Sequence, residues 1–152
     1  RKEISDFNFT TDVIVGFPGE TENDFAETIK AVKEARFSHV HTFRYSRRKG
    51  TRADRLEEQT EEKIKSERAE IIRQISEENR LTYMESMLGK QQRVLIEKVN
   101  AVGMAQGYGE CYLPVQFSTT LRSKNVFQDV LLEKVVPGET PFILATDQSF
   151  NP

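Results

Sequence analysis

Thr10-Thr11-Asp12-Val13-Ile14-Val15-Gly16-Phe17-Pro18-Gly19-Glu20-Thr21 is the stretch on which the fold turns. Residues 9–17 are β-branched and aromatic and nearly continuous in apolarity after Asp12, the pattern of a strand buried on both faces in a parallel sheet. Pro18-Gly19 ends it. Thr21 and Asp24 have capping-box spacing, and Phe25, Ile29 and Val32 recur at i, i+4 and i+7, which predicts an amphipathic helix over 22–36. Val40 to Tyr45 alternates as a second strand. Strand, helix and strand in this order predict a right-handed βαβ unit.

Working outward, Thr60 is placed to cap a long helix reaching Leu88, with Glu61 and Glu62 near its positive end. Its apolar positions, Ile64, Ile71, Ile72, Ile75, Leu81, Met84 and Leu88, follow helical spacing with a gap around Glu77–Asn79. The gap predicts a helix that leaves one core and joins another, a connector between modules. Gly89 stops it. Beyond Gly89, residues 93–99, 108–117, 126–136 and 142–146 are strand-like and separated by Gly and Pro, which predicts a small antiparallel barrel of oligonucleotide-binding type. The expected division is 1–56, 57–88 as connecting helix, and 89–152, in an α+β chain.

The chain has 152 residues, 37 % hydrophobic and 30 % charged, with a net charge of -2. It is no polycation. No apolar run approaches a bilayer's width and no signal peptide is visible, so no membrane role is expected and a cytoplasmic location is. One cysteine, Cys111, excludes an internal disulfide and any multi-cysteine metal or iron–sulfur site within this chain. The near-neutral total hides a concentrated basic segment, Arg44, Arg47, Arg48, Lys49, Arg52 and Arg55, with Asp54 the only acid between residues 36 and 55. Such a patch attracts phosphates at short range; the competing reading is a solvated loop paired with Glu57, Glu58 and helix acids.

In parallel α/β folds, ligands sit beyond the carboxyl ends of strands. That makes Asp12-x-Ile14-x-Gly16-x-Pro18-Gly19-Glu20 the first candidate site: a glycine admits a flat ring, and a carboxylate accepts from hydroxyl or amino groups. A tight turn with purely steric glycines fits the spacing equally well. His39 and His41 share a strand face but lack the further ligands of a coordination sphere, so core or hydrogen-bonded histidines are the better reading. Cys111, between Glu110 and Tyr112 in an alternating strand, reads as a small buried side chain. Tyr108, Tyr112, Phe117 and Phe127 lie among Arg93, Lys98, Arg122 and Lys124. They either stack bases or fill the barrel core, the latter favoured for any one of them. No nucleophile triad or Walker loop is present, and no catalytic residue is assigned.

The stretch Thr10 to Thr21 resembles the strand-loop signature of radical S-adenosylmethionine methylthiotransferases. His41-x-Phe43-x-Tyr45-Ser46-x-Arg48-x-Gly50-Thr51-x-Ala53 resembles the next strand and loop of that family. The double threonine and the His-x-Phe-x-Tyr-Ser form lean towards its MtaB type, which acts on threonylcarbamoyladenosine in tRNA, over the MiaB type, which acts on isopentenyladenosine. The segment after Gly89, with Gly107-Tyr108 near its middle, looks like the family's small RNA-binding TRAM barrel.

The resemblance implies a partial radical-SAM α/β barrel joined by a long helix to a TRAM domain. It implies that Ile14, Gly16, Pro18, Gly19 and Glu20 lie against S-adenosylmethionine, that Phe43 and Tyr45 border the same cavity, and that Arg48 faces nucleotide phosphate. With the basic and aromatic residues read above, the expected RNA contacts are Arg47, Arg48, Lys49, Arg52, Arg93, Tyr108, Tyr112 and Lys124. Where the family usually has Gly-Thr-Pro-Ala, this chain has Gly50-Thr51-Arg52-Ala53, so a less rigid, more basic loop is expected. The family's reaction uses S-adenosylmethionine and two 4Fe-4S clusters held by six cysteines, one cluster to generate a radical and one to supply sulfur. One cysteine cannot build either, and the chain begins Arg-Lys-Glu, so a C-terminal portion without activity of its own is expected. Its expected partners are tRNA and the remainder of the parent enzyme, with self-association through the strands of residues 9–46. A stand-alone RNA-binding module, and the related enzyme that modifies a ribosomal protein, are the competing readings.

Overall fold

The computed structural model describes residues 6–148, so the outermost residues of the expected first and last domains lie outside the described residues. The chain divides into two compact units, one of residues 9–80 and one in which residues 6–8 join 81–148.

In the first unit, strand β1 (Thr10–Val15) and strand β2 (His39–Arg44) pair in parallel, from Thr10 opposite His39 to Val15 opposite Arg44. Two further bonds extend the ladder, Ser38 N–H to Phe9 O (2.8 Å) and Tyr45 N–H to Val15 O (2.9 Å). Between the strands runs helix α1 (Glu22–Ala35). Its capping box is complete: the Asp24 N–H donates to Thr21 Oγ1, and the Thr21 N–H donates to Asp24 Oδ2 at 2.9 Å. The Thr21 hydroxyl, donating to Asp24 Oδ2 (2.7 Å), and then the Thr21 N–H hold the Asp24 carboxyl below the ordinary carboxylate range. Arg36, left-handed at φ 51°, closes the other end. A single 3₁₀ turn (Ala53–Arg55) follows β2, and then helix α2 (Glu62–Ser86).

Val15, Phe25, Val32 and Val40 pack with Ala69, Ile72 and Ile75 of α2, and Ser76 Oγ accepts from the Val40 N–H (2.9 Å). All of this lies on one side of the sheet. On the other side Asp12, Ile14, His41 and Phe43 are exposed, so β1 is buried on one face where its composition predicts two. Near-continuous apolarity marks what a strand can bury, and helices cover only one face in this unit. Thr60 does not cap α2, which begins at Glu62; its hydroxyl donates to Phe17 O (3.2 Å). The buried stripe of α2 also differs from the apolar list. Lys65 and Arg68 are buried, whereas Ile71 is exposed.

The second unit is a closed five-stranded barrel of β3 (Gln91–Val99), β4 (Met104–Tyr108), β5 (Pro114–Ser118), β6 (Phe127–Val136) and β7 (Phe142–Asp147). The strand order is β3-β4-β5-β7-β6, and β6 closes back on β3. One pair, β5–β7, is parallel, so the barrel is not wholly antiparallel as its sequence suggests. The predicted strand over 108–117 is the last residue of β4, a turn and most of β5, and Met104–Tyr108 is a strand the glycine punctuation concealed. Gly107 is required there: a Cβ would overlap the Leu95 carbonyl oxygen on β3, so only glycine allows this approach. Val94, Ile96, Phe117, Val130, Leu132 and Ile143 fill the interior with Tyr83 and Met84 from the last turn of α2 and Met87 just beyond it.

Candidate functional site

The loop Gly16–Glu20 leaves the carboxyl end of β1 and is held from beneath by α2. Glu20 Oε2 accepts from the Gly16 N–H (2.6 Å) and from Arg68 Nη1 (2.5 Å), and Arg68 Nη1 also donates to Glu20 O (3.1 Å). Arg68 Nη2 reaches Glu22 Oε1 at 2.5 Å. The Arg68 side chain is 5 % exposed and Glu20 11 %, and the guanidinium lies 5.1 Å from the Phe25 ring centroid. Burial works against the Arg68 charge, but the bonds to Glu22 and Glu20 outweigh it and hold its pKa above the ordinary value. Thus the Glu20 carboxylate is occupied by its own loop. Gly16, at φ 72°, sits on the Lys65 stem, where a Cβ would overlap Cγ.

Ile14 and Phe43, opposite each other in register, form an apolar pair on the uncovered face, 57 % and 52 % exposed. Pro18 is buried and Gly19 exposed, its N–H donating to Glu58 O (2.9 Å). Tyr45 meets Phe17 edge-on at 5.2 Å, and its buried hydroxyl has no hydrogen-bond partner among the described residues. Lys65 Nζ lies 5.5 Å from the Tyr45 ring centroid and pairs with Glu62 (2.8 Å). Phe43, Arg44, Tyr45, Arg47, Lys65 and Arg73 line a cleft of about 630 Å³. Of the residues expected at a cofactor, then, Ile14 and Phe43 present side chains outward while Gly16 and Glu20 shape the loop.

The basic segment is ordered by one carboxylate. Asp54 Oδ1 accepts from Arg47 Nε (2.6 Å), Oδ2 accepts from the Gly50 N–H (2.9 Å), and Arg47 Nη2 donates to Asp54 O (2.7 Å). The Gly50 N–H, then Arg47, hold the Asp54 carboxyl below its ordinary range. Thr51 Oγ1 accepts from the Asp54 N–H (3.1 Å) and donates to Arg48 O (2.9 Å). These bonds order the loop that carries Arg52. Arg44 donates to Ser66 Oγ (2.9 Å). Arg48, Lys49 and Arg52 are exposed with no ion partner among the described residues, and none of the segment's cations pairs with Glu57 or Glu58.

On the barrel, Phe117 is core, whereas Tyr108, Tyr112 and Phe127 face outward. Tyr108 and Tyr112 stack at 4.8 Å and 20°. Arg93 pairs with Asp129 opposite it on β6 (3.1 Å), and Lys124 is exposed in the loop before β6. Cys111 lies in the β4–β5 turn and is half-buried, its thiol donating to Asp6 O at 3.3 Å. His39 and His41 meet edge-on at 4.4 Å; His41 is exposed and no core residue, while burial, then the neighbouring His41, lowers the His39 pKa. Among the described residues no group of three or more His, Cys, Asp or Glu is placed to hold a metal ion, and no helix is long and apolar enough to cross a membrane.

Lys65, Arg68 and Asp54 escape a reading by composition. The available signal was spacing, since 65, 68, 72 and 75 lie on one helical face; charges there look like solvated residues until the carboxylate that meets them is known.

No family model matches the chain. It is 41 % identical over 112 residues to the threonylcarbamoyladenosine tRNA methylthiotransferase MtaB of Thermotoga maritima, covering 74 % of this chain and 26 % of the relative. It is 43 % identical over 100 residues to the tRNA-2-methylthio-N(6)-dimethylallyladenosine synthase of Acinetobacter baumannii, covering 66 % and 21 %, and 42 % identical over 97 residues to that of Caldicellulosiruptor saccharolyticus, covering 64 % and 21 %. The chain therefore spans between a fifth and about a quarter of the length of these relatives. By this similarity the chain belongs to the family of the MtaB- and MiaB-type tRNA methylthiotransferases.

Proposed function

We propose that the chain is the tRNA-docking and cofactor-bordering part of an enzyme that adds a methylthio group to a modified adenosine beside the anticodon, with threonylcarbamoyladenosine the preferred base. The observation that carries this reading is one of continuity: β2 presents Phe43 beside Ile14 on the uncovered face, then runs into the loop where Arg48, Lys49 and Arg52 stand without ion partners among the described residues. A flat, partly apolar cofactor fits the Ile14–Phe43 pair, and the adjacent cations suit the phosphates of a bound RNA. S-adenosylmethionine supplies the methyl group and radical chemistry when bound; the two 4Fe-4S clusters need cysteines that this chain does not contain. The barrel, whose strand order is that of five-stranded Greek-key oligonucleotide-binding barrels, serves as the second RNA surface.

Filter binding of the chain to tRNA at two salt concentrations tests this. Replacing Arg48, Lys49 and Arg52 together by Ala is expected to reduce the slope of log K against log salt by about 2 to 3. A chain that does not bind tRNA, or a slope unchanged in the triple variant, overturns the reading. A several-fold preference for tRNA carrying threonylcarbamoyladenosine over isopentenyladenosine is expected, and the reverse order assigns the MiaB type.

A further inference from the structure

The turn joining β4 to β5 holds a residue in a conformation that it should avoid. The Gly109 N–H bonds to Leu113 O (3.0 Å) and the Tyr112 N–H to Gly109 O (2.8 Å), closing a three-residue hairpin loop whose last residue is left-handed. Glycine is the ordinary occupant of that position. Here it is Tyr112, at φ 56°. A bulky aromatic with positive φ is a conformational outlier, and such strain persists where the surroundings impose it. Burial does not explain it, because Tyr112 is 75 % exposed.

What the strained backbone achieves is placement of the ring. Tyr112 stacks on Tyr108 with centroids 4.8 Å apart and planes 20° from parallel, leaving its other face open. Tyr108 in turn stands in register with Leu95 on β3, and Leu95 with Phe127 on β6. Their chain neighbours Gly107, Val94, Ile96 and Gln128 point inward, so Tyr108, Leu95 and Phe127 form one outward row across three adjacent strands. Phe127 is 65 % exposed. Charge is neutralised one row along, where Arg93 is tied to Asp129. The row therefore offers ring faces with little net charge.

We propose that Tyr112, Tyr108 and Phe127 form a stacking platform for unpaired nucleobases of RNA, and that Tyr112 is held left-handed to display its ring. This deepens the RNA-docking reading and rests on it. Every base has a π-face, so the platform tolerates sequence, and its contribution is stacking rather than counterion release. Paired bases cannot reach it.

The test uses the full chain with two probes, an RNA hairpin with an unpaired loop and a fully paired RNA duplex, by fluorescence anisotropy at two salt concentrations. Tyr112→Gly is expected to raise the melting temperature, since glycine fits the turn, yet to weaken hairpin binding about 10-fold with the salt slope unchanged. Duplex binding should hold, and Tyr112→Phe should bind the hairpin within about twofold of the parent. Phe127→Ala, an outward position whose loss leaves the core intact, is expected to weaken hairpin binding several-fold. Hairpin binding unchanged in both Tyr112→Gly and Phe127→Ala overturns the platform while leaving RNA docking in place. So does a lowered melting temperature for Tyr112→Gly, or a salt slope that falls with it. Failure of the parent chain to bind either RNA overturns the docking reading itself.

Discussion

Replacing Arg68 by Met tests what holds the candidate cofactor loop. The substitution keeps the stem and removes three hydrogen bonds at once, two to Glu20 and one to Glu22. The Glu20 side chain is 11 % exposed, so its carboxylate would remain buried with only the Gly16 N–H as donor among the bonds described. Breaking a buried pair by removing one partner costs about 3 to 5 kcal/mol. We expect about 3 kcal/mol, the low end, because Glu20 keeps the Gly16 bond. Arg68→Lys should recover little of it, since one ammonium cannot reproduce the fork that spans two carboxylates. Adding Glu20→Gln to Arg68→Met should recover about 1 to 2 kcal/mol, because the amide oxygen still accepts from Gly16 and needs no counter-charge. Urea unfolding followed by circular dichroism measures the energies, and hydrogen exchange at residues 16–20 locates them; 3 kcal/mol corresponds to about 100-fold faster exchange. A loss below about 1 kcal/mol, or strict additivity in the double variant, would refute the buried lock.

Two other outcomes follow from the first unit. Gly16→Ala should cost about 2 to 4 kcal/mol by urea unfolding, because the new methyl meets the buried Lys65 stem at φ 72°, whereas Gly50→Ala, at φ 88° in open space, should cost only about 1; equal losses would sink the steric argument. His39 resists protonation in the fold while the unfolded chain takes its proton near pH 6.5, so stability is fully present above that pH and falls as acid approaches the lower folded pKa. Thermal melts between pH 7 and pH 5 should therefore show a steeper decline for the parent than for His39→Gln, and parallel declines would count against it.

The elements near the amino terminus were legible because each carries its own local signal. The helical period of Phe25, Ile29 and Val32, the Thr21–Asp24 box and the Pro18-Gly19 stop all agree with α1 and its neighbours as found. Three things were not legible, for different reasons. The extent of burial of β1 depends on what covers each face, which no residue of β1 encodes. The barrel's strand count was obscured because Gly107 sits within a strand to permit close approach, whereas Gly103 and Gly109 mark turns, and the letters are identical. In the candidate site, the outward position of Phe43 follows from the alternation of β2, whereas Ile14 is singled out by resemblance to the family and its exposure by nothing in β1. Glu20 could not be placed, since whether a carboxylate faces a ligand or its own loop is decided by Arg68, 48 residues away along the chain.

Helix α2 has a consequence for the order of folding. Its 25 residues divide their apolar side chains between two cores, Ala69, Ile72 and Ile75 in one and Tyr83 and Met84 in the other, where Met87 just past its end joins them. The stretch from Leu81 to Ser86 is too short to nucleate as a helix, since isolated helices below about 12 to 15 residues are marginal in water. Propagation from the longer amino-terminal stretch adds each further turn without repeating that nucleation step. The helical turn that enters the barrel core is thus the continuation of a longer helix rather than one that must nucleate by itself.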